Sequence, residues 1–180
     1  MITSPFKKKI ITAIFSAAFF AASLGATGAG VQAGFFPALT LNEHGTTASN
    51  FEASLTGTLR FTLIPVTAGA GLLAGAADNQ GLLGLSAFAD WWISDIQIEN
   101  NWNIYTGFGA SAALTLTTDS KPELRAGTRF FMGMNWLFID NFIEFYVQQN
   151  AVPSISVNFS DNSKDFLFFI PIETGLRFHF

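Results

Sequence analysis

The sequence predicts an all-β fold: a transmembrane, antiparallel, up-and-down barrel of eight strands with a filled lumen. Three observations predict it. From Gly34 onward, apolar and polar residues alternate with period two rather than recurring at helical spacing. The charges within the alternating segments all fall on one face. The apolar face persists to the last residue, where Arg177-Phe178-His179-Phe180 ends the chain on an aromatic ring.

Bulk composition narrows the function classes. The 180 residues are enough for one domain with a sizeable core. Hydrophobic residues make up 49% and charged ones only 12%, about half of what a soluble domain carries. The chain has 21 Phe and no Cys, which excludes a disulfide framework, thiol catalysis and a lipidated Cys anchor. Beyond residue 33 there are six basic residues and thirteen acids, a net charge of −7. Phosphate binding needs clustered Lys and Arg, so nucleic acid is not an expected partner.

Residues 1–33 read as a cleavable export signal. Lys7, Lys8 and Lys9 precede the apolar run IITAIFSAAFFAASLG, and Val31-Gln32-Ala33 is a small-residue cleavage site. The mature domain is therefore expected to start at Gly34 and to run to 180. An uncleaved anchor helix is the alternative, weakened by the Gly, Ala and Thr of its second half.

The strands then follow in order: roughly 34–42, 50–64, 66–75, 81–94, 102–118, 124–138, 142–158 and 165–180. The clearest is FEASLTGTLRFTL. Phe51, Ala53, Leu55, Leu59, Phe61 and Leu63 alternate there with Glu52, Ser54, Thr56, Thr58, Arg60 and Thr62. The connections LNEHGTTASN, GAADNQ, TDSKPE and SDNSKD are polar and turn-rich. They alternate with Ile64-Pro65, SDIQIENNW and IDN, mostly shorter. Two alternating loop types are what an up-and-down barrel across a membrane presents, and an even strand count returns both termini to one side.

Parity then assigns faces. Glu52, Arg60, Asp90, Arg125, Arg129, Glu144, Glu173 and Arg177 share one face, four charges of each sign. They are too few to cover a soluble exterior, and they cancel, as mutually paired interior groups must. Tyr105, Phe131 and Tyr146 project to the same side. Gly69, Gly71, Gly84, Gly107, Gly109, Gly127, Gly133 and Gly175 also land there, where a narrow lumen needs space. Inward positions near the outer end, Thr40, Glu52, Ser54, Ser111, Arg125 and Ser156, read as mostly polar. Trp91, Trp92, Trp102 and Trp136 cluster at strand ends on one rim, and with Phe178 and Phe180 they are expected to form an interfacial aromatic girdle.

A helical alternative has little support. Stretches 61–77 and 100–118 are free of charge, yet they contain Pro65 and several glycines, or Asn100, Asn101 and Asn103. Chemistry is equally sparse. The two histidines, His44 and His179, lack zinc-ligand spacing, and His44 beside Glu43 reads as a solvated loop residue. No phosphate-cradling glycine loop occurs. No catalytic residue, metal ligand or cofactor is expected.

The leader, the alternating strands and the terminal Arg177-Phe178-His179-Phe180 together resemble the bacterial outer-membrane β-barrel proteins. By size, residues 34–180 resemble the small eight-stranded group, of which OmpX, OmpW and the membrane domain of OmpA are members. That resemblance implies residence in the outer membrane of a diderm bacterium with both termini periplasmic. It implies outer-membrane lipid as surroundings and the barrel-assembly machinery as a partner, with Phe180 as part of the assembly signal. The expected role is structural or surface-interacting, and any surface ligand is unspecified. The resemblance leaves two alternatives: an OmpW-like conduit for small hydrophobic molecules and, more distantly, a lipid-modifying enzyme.

Overall fold

A computed structural model describes residues 26–41, 49–61, 63–77, 80–118, 122–160 and 163–180. Among these, every regular element is a strand: β1 (Gly28–Leu41), β2 (Ser49–Phe61), β3 (Val66–Ala77), β4 (Gln80–Glu99), β5 (Trp102–Thr117), β6 (Pro122–Phe138), β7 (Ile143–Asn158), β8 (Lys164–Phe169) and β9 (Ile172–His179). Successive strands pair antiparallel, and β1 pairs with β2 on one side and with β8 and β9 on the other. The sheet therefore closes on itself, leaving no exposed edge. No helix among the described residues is long and apolar enough to cross a membrane.

The eighth pass is divided. β8 and β9 both lie between β7 and β1, and Ile170-Pro171 separates them. A single strand over 165–180 was expected. Proline has no N–H to give the ladder, so the pairing lapses there. Pro171 still accepts from Asn150 N at 2.9 Å, and Ile170 N donates to Pro37 O at 3.1 Å. The register is the same on both sides of the break, with Val152 opposite Phe169 and Gln149 opposite Ile172. Parity therefore survives the interruption.

The stagger can be read from the register. Following partners from Trp102 through Trp136, Phe145, Leu176, Val31, Gly57, Ala70 and Ala87 returns to β5 at Ala112, ten residues further on. A shear of ten over eight strands tilts them about 40° from the barrel axis. Such a barrel is only wide enough for side chains to fill.

Two expected boundaries move. β1 starts at Gly28, not at residue 34. Residues 28–33 pair with both β2 and β9, Gly28 lying opposite Arg60 and His179. A cut after Ala33 would strip six of the 14 residues of the strand that closes the barrel. The segment SDIQIE, expected in a turn, instead continues β4 to Glu99 and pairs with β5. Register shifts between Trp92 and Ser94 and between Gln97 and Glu99 disturb its alternation, which hid it from period-two reading. The β6–β7 reversal uses positive φ at Ile139, Asp140 and Asn141.

Burial is inverted relative to a soluble protein. Leu55, Leu72, Leu83, Leu85, Met132 and Ile155 are exposed outside, whereas Glu144, Glu173 and Arg177 are buried inside. The inner glycines make room for rings. A Cβ on Gly133 would stand 2.5 Å from the Tyr105 ring, and one on Gly175 would stand 2.6 Å from that of Tyr146. Each tyrosine is the cross-strand partner of the glycine it covers.

Candidate functional site

The lumen is where the polar side chains converge. Its centre is Arg129 on β6. Its Nε donates to Asp90 Oδ1 at 2.8 Å, and its NH2 donates to Glu173 Oε2 at 2.8 Å. Asp90 on β4 and Glu173 on β9 lie two staves away on either side, so this one guanidinium ties three walls together. Gln148 and Asn150 on β7 donate to Glu173 Oε2 at 2.8 and 2.9 Å, and Tyr105 donates to Gln148 at 3.2 Å. The Phe88 ring lies 4.4 Å from the guanidinium carbon.

Toward the end that carries the termini lies a second cluster. Glu144 Oε2 accepts from Arg177 NH1 at 2.7 Å and lies 2.8 Å from His179 Nε2, while Asn135 donates to Oε1 at 2.8 Å. Arg177 also sits over the Tyr146 ring, whose hydroxyl donates to Gln32 at 2.8 Å. At the other end Arg125 NH1 donates to Glu52 Oε1 at 2.6 Å, with Glu123 3.7 Å from its Nε.

The eight charges assigned to one face by parity thus all point into the barrel, and seven of them meet within that set. Arg60 does not. Its ion-pair partner is Asp95, at 3.6 Å, and its guanidinium stacks 3.4 Å above the Trp92 ring. Asp95 lies beyond a register shift in β4, out of phase with Asp90, so alternation alone does not assign it to the lumen. Gln32 lies in the first six residues of β1, ahead of the start predicted at Gly34. Gln148 and Asn150 alternate regularly in β7 but carry no charge to mark them.

The expected girdle needs one correction. Trp91 and Trp102 are exposed on the outer wall, and Trp136 packs against Trp102 at 4.4 Å. Phe178 and Phe180 are exposed too, at the same end. Trp92 is not among them. It is only 7% exposed, points inward and stacks on Tyr105 at 4.0 Å, beside Phe131. Adjacent residues on a strand face opposite ways, so Trp91 and Trp92 cannot share a face. Phe180 is anchored by its backbone, its N–H reaching Thr27 O at 3.0 Å.

The upper lumen also departs from expectation. Glu52, Ser54, Arg125 and Ser156 are buried there, but so are Leu73, Leu82, Val152, Leu167 and Phe169, with Phe36 packed against the last group. That half of the bore is more apolar than its charges and hydroxyls alone suggested. His44, Glu43, residues 1–25 and the loop residues Asp119, Lys121 and Asp161 lie outside the described residues. Thr40 lies in β1, but nothing is described of its side chain.

The arrangement can do one thing chemically: hold charge in a confined bore by mutual neutralisation. Among the described residues no three His, Cys, Asp or Glu side chains are grouped to hold a metal ion. No protein-family model and no curated protein matches the sequence. Among solved structures the chain is similar to Neisserial surface protein A. The TM-score is 0.53 at 13% identity, covering 84% of this chain and 97% of that one. At that identity the likeness bears on the fold.

Proposed function

We propose that the protein is an integral outer-membrane β-barrel with a structural or surface-interacting role in the cell envelope, non-enzymatic, whose lumen is plugged at its lower half. The observation that carries this reading is the inverted burial. Leu83 is 67% exposed on the outer wall, whereas Arg177 is 1% exposed within. An apolar exterior around a whole closed sheet is far more than the few hundred Å² a soluble monomer leaves in one patch. Lipid covers it at no cost, and a closed barrel is the only β structure that satisfies its backbone there.

The likeness to Neisserial surface protein A supports the same reading, that protein being a surface protein by its name. The rim with Trp91, Trp102 and Trp136 carries both ends of the described chain, which fits a periplasmic interface. Surrounding lipid and the barrel-assembly machinery are the partners this reading requires. Planar-bilayer conductance of the refolded protein tests the plug. A closed baseline is expected, because Arg129, Asp90 and Glu173 bar the bore. Steady ohmic conductance of the inserted protein in symmetric salt would overturn it.

A further inference from the structure

Closure gives every strand two neighbours, but β4 has its second for only part of its length. Its pairing with β3 ends at Trp91, opposite Val66, and Trp92 N then donates to Pro65 O at 2.8 Å in the β2–β3 turn. Beyond that point β4 runs on to Glu99 beside β5 alone. Among the described residues nothing pairs with the other margin of Ser94–Glu99. Asp95, Ile96, Gln97, Ile98 and Glu99 are all exposed, so both faces of this overhang are open.

The overhang is nevertheless held in place. Leu137 N donates to Asn101 O at 2.9 Å, Gln97 Nε2 donates to Asn100 O at 2.9 Å, and Asp95 meets Arg60 at 3.6 Å. A fixed strand with a free margin is a template for another chain. Such margins are commonly blunted by Lys or Pro, and neither occurs in 93–99. Bulges flank it, but Ser94–Gln97 keep one register with β5. Ile93, Ile96 and Ile98 are each more than half exposed there, as are Leu63 and Ile64 in the adjoining turn.

Symmetry and charge narrow the occupant. An unpaired margin is not tolerated in hydrocarbon, so it faces water beyond the rim. A second copy in the same membrane cannot use it. Two antiparallel strands are related by a two-fold axis normal to the sheet, which would turn the second barrel upside down in the bilayer. A parallel pair puts the axis along the strand, about 40° from the barrel axis, and tips the second barrel by twice that angle. The exposed charges at this end are Asp95, Glu99 and Asp140, all acidic, with no exposed Lys or Arg beside them among the described residues.

We propose that Ser94–Glu99 is a docking strand for an extended, basic segment of a partner protein, which adds beside β4 main chain to main chain and presents Lys or Arg to the acidic rim. The exclusion of a second copy rests on the barrel lying in lipid, as proposed above.

The test uses the refolded full barrel in phosphocholine nanodiscs. Three peptides are titrated: Lys-Val-Lys-Val-Thr-Val-Lys-Val-Lys, the same peptide with Pro-Pro in place of its central Thr-Val, and an acidic counterpart with Glu for every Lys. Amide resonances and hydrogen exchange of Ser94–Glu99 are the readout. The first peptide is expected to give saturable shifts there and to slow exchange several-fold. The Pro-Pro peptide keeps the charge but loses an N–H from each of its own margins, and should bind at least ten-fold more weakly, as should the acidic one. Glu99→Lys with Asp140→Lys, both at exposed positions, should also weaken the first peptide. Equal binding of the Pro-Pro peptide, shifts confined to other residues, or edge amides already protected without peptide would overturn the proposal. Failure to enter lipid would overturn the envelope reading together with the exclusion of a second copy, whereas an inserted barrel with an unbound edge would overturn this proposal alone.

Discussion

Glu52 Oε1 and Arg125 NH1 meet at 2.6 Å from opposite walls of the barrel. β2 and β6 are four staves apart in either direction around an eight-stave ring, so this ion pair spans the bore. It does at the upper level what Arg129, Asp90 and Glu173 do below, where the three charges come from β6, β4 and β9. Pairs that reach across a bore resist its collapse as well as its opening. Single-wall pairs such as Arg177–Glu144, on adjacent staves, cannot.

The first prediction concerns Arg129. Its side chain is 3% exposed and bridges two carboxylates that are equally enclosed. Arg129→Ala leaves Asp90 and Glu173 facing each other without a cation. Breaking a buried pair in this way costs about 3–5 kcal/mol. Urea unfolding in lipid vesicles measures it. Lys164→Ala, at an exposed strand end, is the control and should leave the midpoint unchanged. Equal, negligible shifts for both variants would mean that Arg129 is solvated and the bore open.

A second prediction follows from the tyrosine–glycine pairs. Gly133→Ala and Gly175→Ala insert a methyl group where the Tyr105 and Tyr146 rings already lie. Both rings are fully enclosed, and Tyr105 is also clamped by Trp92. Overpacking of this kind costs about 1–3 kcal/mol. Gly57 is the contrast, since a Cβ there meets nothing nearer than 3.9 Å. Gly57→Ala should be neutral or slightly stabilising in the same unfolding assay. A ranking with Gly57→Ala the most damaging would contradict the packing described.

How far the sequence discloses this arrangement differs by level. Period two is local, so the inward set from Glu52 to Arg177 can be read without knowing any partner. Which acid meets Arg129 cannot, because partners on different staves depend on the shear, a property of the closed ring. FLFFI carries no polar residue of its own to mark an inner side, and only the phase carried back from Glu173 across Pro171 places Leu167 and Phe169 in the lumen. A bulge defeats parity outright: beyond Trp92, β4 shifts register against β5, so Asp95 reaches Arg60 out of phase with Asp90.

The third prediction concerns processing. Thr27 N donates to Arg60 O, and Phe180 N donates to Thr27 O, so the closing seam is already formed at residue 27. A signal cleaved ahead of residue 27 would leave that seam intact, and this is the site we propose. Ser23-Leu24-Gly25 offers small residues at the positions a signal peptidase reads. N-terminal sequencing of the membrane-extracted protein should find Ala26 first. A chain engineered to begin at Gly34 lacks the six residues paired with β2 and β9 and should fail to refold. A mature terminus at Gly34 with a stable barrel would refute the seam.

The last prediction separates assembly from stability at Phe180. The ring is 52% exposed on the outer wall, and what holds the residue in place is its backbone bond to Thr27. Phe180→Ala keeps that bond and removes a ring that lies against the surroundings. The refolded variant should therefore lose no more than about 1 kcal/mol, the ordinary range of a surface truncation. In cells the outcome should differ. If the terminal aromatic is read by the assembly machinery, as the resemblance to outer-membrane barrels implies, the amount of folded barrel should fall several-fold. Measuring both quantities on one variant distinguishes the two roles. Normal cellular levels would remove the assembly role, and a large loss of stability in vesicles would make Phe180 a packing residue after all.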